Sequence, residues 1–167
     1  FVYNPDFGVL NVLLSKLGLI EKPISFLGFD LALLSVIIAR IWRAMPFAFM
    51  NYYSALTTIP KDLYEAAAID GASPSQAFWN ITMPHLRTTT SSTLLVLTVW
   101  TFMVFDIIFG MTGGGPVNAT KTLPMRIYQE MFGMKNLGTA SAWSLIAIGV
   151  LVIITILYWN MDKEDKS

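Results

Sequence analysis

The run Glu65-Ala66-Ala67-Ala68 with Asp70-Gly71-Ala72, and two ionisable groups in apolar surroundings, Arg43 and Asp106, are the residues whose type and setting could do work. Alanines in succession let another protein approach a helix backbone closely, and Glu65 beside them adds a fixed charge that sets register. A short helix of that kind seats in a groove, which is recognition and not bond-making. Catalysis needs a nucleophile or metal held by a second positioned group. The sequence has no Gly-x-Ser-x-Gly, no His-Glu-x-x-His and no paired carboxylates in an apolar stretch. One histidine, His85, and no cysteine exclude a multi-histidine zinc site, thiolate metal sites and disulfide scaffolds. No catalytic or metal-ligating residue is assigned. A membrane-embedded enzyme using His85 or Asp106 is the rival reading, and activity on a substrate without an added ATPase would single it out.

Of 167 residues, 54% are hydrophobic and 13% charged, and 11 Lys+Arg balance 11 Asp+Glu to a formal net charge of 0. Mean hydropathy is +0.58. Soluble domains carry about 25% charged residues, so the composition is that of a membrane protein. Nucleic acid is excluded as a partner, since no basic excess exists to neutralise phosphates. The chain starts at Phe1 with no basic n-region, so no signal peptide is read, and the sequence is expected to be a fragment lacking N-terminal spans.

Three apolar stretches must position the chemistry. Residues 139–160 hold 22 residues without a charge, ~33 Å of helix against a ~30 Å hydrocarbon core. Tyr158 and Trp159 close this span, and the tail Asp162-Lys163-Glu164-Asp165-Lys166 stops insertion. A second span is expected over residues 88–111, with Asp106 ~8 Å from its end in a straight helix. Asp106 reads either as an interfacial carboxylate in contact with water or as a group lining a substrate path. The third, residues 31–56, contains Arg40, Arg43 and Pro46; a charge there must face protein, water or headgroups, and a proline frees a carbonyl and kinks the helix. This span is expected inside a bundle. Its arginines either snorkel or pair with a carboxylate on a missing helix, or they contact substrate.

Residues 1–29 read as a surface segment: Val9, Leu10, Leu13, Leu14 and Leu17 recur at helical spacing and Gly18 stops them, giving a short helix lying on the membrane. In residues 112–138, Gly113-Gly114-Gly115-Pro116 forms a tight turn before a helix from Thr122 to Phe132. The triplet is no phosphate loop, because Walker A needs Gly-Lys-Ser/Thr after its spacer and Pro116 and Val117 stand there.

Residues 59–87 are too polar for a span and too patterned for a linker. Pro60 suits a first helical turn, Asp62 its positive end, and Gly71 a left-handed stop. Ser73-Pro74-Ser75-Gln76 has the order of a capping box and starts a second helix, which Pro84 is expected to close. The stretch reads as two short helices bent at Asp70-Gly71-Ala72.

These residues resemble the EAA motif of the membrane subunits of binding-protein-dependent ABC importers: Glu-Ala-Ala, three residues, Gly, nine residues, then Ile-x-Leu-Pro. Here Glu65-Ala66-Ala67 precede Gly71 and Ile81-Thr82-Met83-Pro84, with Met83 in place of leucine. Tyr64-Glu65, Asp70-Gly71-Ala72-Ser73, Trp42 ahead of Pro46-Phe47, and Phe105-Asp106 leading to Thr112-Gly113-Gly114-Gly115-Pro116 and Ala119-Thr120 are similar to the sugar branch, the maltose and glycerol-phosphate importers. The resemblance implies an all-α transmembrane helix bundle, three spans here of about six, with a two-helix cytoplasmic coupling loop. It implies a permease, not an enzyme, in the bacterial or archaeal cytoplasmic membrane.

Under this resemblance Glu65, Ala66, Ala67, Ala68, Asp70, Gly71, Ala72 and Pro84 seat in a cleft of a separate ABC ATPase subunit. That partner binds ATP and Mg, so this chain holds no cofactor. Closure of the ATPase then swings the spans and exposes the path to each side in turn. A second, non-identical permease subunit, an extracytoplasmic solute-binding protein and the lipid bilayer complete the partners. Arg43 and Asp106 are the candidate path residues. Lys61, Arg87, Lys163 and Lys166 on the inner side do not outnumber Lys16, Lys22, Lys121, Arg126 and Lys135 on the outer, so orientation rests on the resemblance and not on charge. An importer of the same class for amino acids, peptides or phosphate is the other alternative.

Overall fold

The computed structural model describes residues 2–164, with side chains as far as Asn160. Phe1, residues 165–166 and the side chains of Asp162 to Glu164, which complete the expected surface segment and charged tail, lie outside the described residues and side chains. Regular structure among the described residues is helical throughout. In chain order it comprises α1 (Val9–Lys16), α2 (Ala32–Thr57), α3 (Lys61–Ile69), α4 (Pro74–Ala77), α5 (Met83–Phe102), α6 (Asp106–Met111), α7 (Leu123–Tyr128) and α8 (Leu137–Glu164). Five-residue π-helical turns occupy Phe78–Thr82 and Gln129–Gly133.

α2 and α8 are the described helices long and apolar enough to cross a membrane, over Ala32–Thr57 and Leu137–Asn160 with hydropathies of 1.5 and 2.5. A helix satisfies its own backbone, which hydrocarbon cannot do for it. α2 runs unbroken through Pro46.

The stretch expected to span over residues 88–111 is two helices. α5 ends at Phe102, Met103 to Phe105 leave helical geometry, and α6 restarts at Asp106. Side-chain packing accounts for the break: the Phe105 ring sits 5.1 Å from that of Phe109 and 4.9 Å from that of Tyr128. The Thr122 hydroxyl donates to the Val104 carbonyl at 3.4 Å. Asp106 therefore does not lie within one straight helix; it opens α6 and is exposed. The first half of α5 carries Arg87 and a Thr/Ser run from Thr88 to Thr93, too polar for the apolarity that α2 and α8 show.

Pro84 does not close the second arm of the elbow. α4, the π turn and α5 follow without interruption from Pro74 to Phe102. Pro84, lacking an N–H, stands directly after the wider π turn, where the Met83 amide reaches back to the Phe78 carbonyl and the hydrogen-bond register is already shifted.

The chain divides into two compact units, one of Phe1–Trp42 with Met103–Ile148 and one of Arg43–Phe102 with Gly149–Ser167. In the first unit Ala32, Val36, Ile108, Met125 and Ala140 are buried. The Tyr128 ring contacts those of Phe105, Phe109 and Phe132. Thr122 precedes α7 with its hydroxyl turned to Val104 and not to the helix end, and the chain passes from α7 through the second π turn to Gly133. The turn at Gly113 and Gly114, at φ +61° and +88°, is followed by Val117 and Asn118, also in left-handed backbone. In the second unit Ile59, Leu86 and Thr93 are buried, the Phe47 and Trp100 rings lie 4.7 Å apart, and Thr98 and Tyr158 share a hydroxyl hydrogen bond of 3.3 Å.

Candidate functional site

The elbow is built from its backbone outward. Pro60, with extended backbone, precedes α3 by one residue, and Asp62 lies in the first turn, where the helix end favours a negative charge. α3 stops in a Schellman closure: the Gly71 amide donates to the Ala68 carbonyl at 3.1 Å and the Ala72 amide to the Ala67 carbonyl at 2.9 Å. That closure needs a left-handed residue, and Gly71 supplies it at φ +78°. A Cβ at Gly71 would meet nothing within 4 Å, so the demand for glycine comes from the backbone alone.

The second arm starts on a full capping box. The Gln76 amide donates to Ser73 Oγ at 3.4 Å, and the Ser73 amide donates to Gln76 Oε1 at 2.7 Å, with Pro74 in the first turn. Two further side chains occupy carbonyls around the π turn. Asn80 Nδ2 donates to Gln76 O at 2.9 Å, and His85 Nδ1 lies 2.8 Å from Ile81 O, a geometry that requires the Nδ1–H tautomer. His85 is thereby a backbone-capping residue.

The arms are tied by Tyr64 and Thr82, whose hydroxyls are 2.8 Å apart, with Thr82 buried. Residue types alone do not reveal this brace, because it joins positions eighteen apart. The signal available was Thr82, a small polar residue within the Ile-x-Leu-Pro portion of the motif.

Above the brace the elbow shows its surface. α3 buries none of its residues. Glu65, Ala66, Ala68, Asp70 and Gly71 are exposed, Ala67 and Ala72 half-buried, and Ile69 is 86% exposed. Pro84 is exposed on the other arm. The structure thus gathers residues 65–72 on one exposed corner with charges at Glu65 and Asp70. No group of three or more His, Asp or Glu that could hold a metal occurs among the described residues.

The two candidate path residues fall in different units. Arg43 is exposed on α2 in the second, Asp106 is exposed at the start of α6 in the first, and neither is unpartnered. Arg40 is half-buried on α2, and its Nε finds no hydrogen-bond acceptor among the described residues.

A family model described as binding-protein-dependent transport system inner membrane component matches residues 3–165. The sn-glycerol-3-phosphate transport system permease protein UgpA of Agrobacterium fabrum is 39% identical over 165 residues, 98% of this chain and 56% of that protein. The trehalose/maltose transport system permease protein MalF of Thermococcus litoralis is 36% identical over 167 residues, 99% of this chain and 56% of that protein. The chain spans little more than half the length of these relatives. Among solved structures, a bacterial ABC transporter that imports the acidic polysaccharide alginate superposes with a TM-score of 0.86 at 24% identity, covering 98% of this chain and 57% of that one. The same fold is found at a TM-score of 0.85 in an alginate transporter complexed with a periplasmic protein carrying alginate pentasaccharide.

Proposed function

The chain belongs to the binding-protein-dependent transport system inner membrane component family, and on that premise we propose that it forms part of the permease subunit of an ATP-driven sugar importer. The observation that carries this reading is the exposed elbow. A Glu-Ala-Ala helix ends on a left-handed glycine, restarts on a capping box and is braced at its base, so a force applied to α3 passes into α5 without being lost in a flexible joint. α5 is continuous with the second arm, which makes the elbow a lever on a long helix.

On this reading Glu65 to Ala72 seat on a separate ATPase, which supplies the ATP site and its Mg. The elbow faces the cytoplasm, and residues 112–138 and the N-terminal segment face the opposite side of the cytoplasmic membrane. A second permease subunit completes the translocation path, and a soluble binding protein delivers the solute. Carbohydrate or polyol solutes fit the relatives' names, which specify glycerol phosphate, trehalose, maltose and alginate. Arg43 and Asp106, ionisable and exposed, are retained as path residues. The deciding experiment reconstitutes the complete subunit with its neighbouring ATPase and binding protein in vesicles. ATPase activity is then read with a panel of sugars, glycerol phosphate and amino acids. Stimulation by a sugar or polyol is expected; stimulation by amino acids alone would overturn the solute class, and none without an ATPase partner is expected at all.

A further inference from the structure

The N-terminal helix buries its asparagine, half-buries Leu10 and Leu14, and leaves a second set of apolar residues exposed. At about 100° per residue, Val9, Val12, Leu13 and Leu17 share one side of α1 and its C-cap, and all are exposed, Leu17 by 70%. The polar residue at mid-helix, Asn11, lies on the other side and is 5% exposed. Asn11 is clasped from both directions: its Nδ2 donates to the Ile24 carbonyl at 2.9 Å, and its Oδ1 accepts from the Ile24 amide at 2.9 Å. Gly18, at φ +70°, closes α1 with the Gly18 amide on Ser15 O and the Leu19 amide on Leu14 O, and turns the chain back.

In water such a helix would put its greasy side in the wrong place. Its neighbours identify the solvent. Ser35, in the first turn of α2, donates to the Phe26 carbonyl at 2.7 Å, and the Tyr3 and Phe26 rings lie 5.9 Å apart. α2 has 26 residues, ~39 Å of helix, and exposed Asp30 marks the aqueous side of its entry. Residues 24–30 thus lead directly into α2, and the Asn11 clasp holds α1 to that entry.

We infer that α1 is an interfacial foot, lying in the headgroup and acyl boundary of the lipid where α2 enters the membrane. Val9, Val12, Leu13 and Leu17 enter the acyl layer, while Lys16, exposed on the same side, extends its ammonium to the lipid phosphates. A lipid surface is the occupant because the stripe is short, carries one long-stemmed lysine among its apolar residues and is tied by hydrogen bonds to the turn that leads into α2. The foot then fixes the depth of α2, as interfacial anchors do. This inference depends on α2 crossing the membrane and is independent of the solute carried.

Site-specific labelling can test it, since this chain contains no cysteine. Leu13→Cys, Leu17→Cys and the control Glu21→Cys would be labelled with bimane in the complete, otherwise cysteine-free transporter. The samples are nanodiscs of phosphatidylcholine with brominated or ordinary acyl chains. At Leu13 and Leu17 the brominated lipid is expected to remove most of the emission and aqueous iodide little of it; at Glu21 the pattern reverses. Iodide quenching at Leu13 and Leu17 places the stripe in water and overturns the inference. Protection from both quenchers means a protein covers it and overturns it equally. If either leucine variant does not assemble, Val12→Cys gives the same reading.

Discussion

The elbow of residues 61–84 and the loop of residues 112–136 are both irregular stretches between long helices, and they dispose of their polar groups in opposite ways. The loop closes on itself. Thr120 and Glu130 are each 3% exposed. The Thr112 and Thr120 hydroxyls lie 2.6 Å apart, and Thr120 donates to the Gly115 carbonyl at 2.8 Å. Arg126 pairs with Glu130 at 2.6 Å. The elbow fixes only its backbone, through caps and one brace, and leaves the outer side of α3 unused. A segment that satisfies its own groups serves its own shape. A segment that fixes its backbone yet leaves its side chains exposed is what the proposed docking on an ATPase requires.

Four substitutions separate the two behaviours, beginning with the largest effect. Gly71→Val forces a β-branched residue into left-handed backbone, a strain of about 1–2 kcal/mol that falls on the elbow's angle. Transport and solute-stimulated ATPase activity are expected to drop to background while membrane insertion and yield stay normal; wild-type transport would remove the elbow from the coupling path. Thr120→Val takes the hydroxyl donor from the half-buried Gly115 carbonyl and one partner from Thr112, which keeps Ile108 O and the Gly114 amide, at about 1 kcal/mol. Thermal stability should fall, with transport per folded molecule unchanged. Loss of transport at full stability would show that the loop, too, faces a partner.

Glu65→Lys reverses one exposed charge on the docking surface, an effect of about 1 kcal/mol or some fivefold in affinity. Less ATPase should co-purify, increasingly so at low salt; identical co-purification counts against docking at this corner. Tyr64→Phe removes the brace hydroxyl and is expected to cost about 0.5–1 kcal/mol. A modest fall in coupling, read as ATP hydrolysed per solute moved, would show the brace transmitting force, whereas a change in stability alone would make it a fixture of the fold.

Much of the elbow was legible in the residues themselves. Gly71 and the Ser73–Gln76 pair act within a few positions of where they stand, so their types announce their geometry. Pro84 misled, because a proline predicts a helix end unless a wider turn precedes it, and nothing local to Pro84 signals that the π turn from Phe78 to Thr82 is there. The run from Thr88 to Met111 misled for the complementary reason. No glycine or proline marks a stop before Gly110, and at Met103 to Phe105 the chain packs the Phe105 ring on Tyr128 and takes a hydrogen bond from Thr122.

By itself the sequence determined that this chain is helical and membrane-borne, and that residues 59–87 bend at a glycine between two capped arms. Those properties follow from hydropathy and from bonds between near neighbours. Tertiary structure alone decided that the second arm runs on into α5, that Asp106 opens a separate helix, that Tyr64 is joined to Thr82, and that Asn11 turns inward while Val9, Val12 and Leu13 turn outward. Each of these depends on groups distant along the chain meeting in space, and residue order carries no measure of that distance.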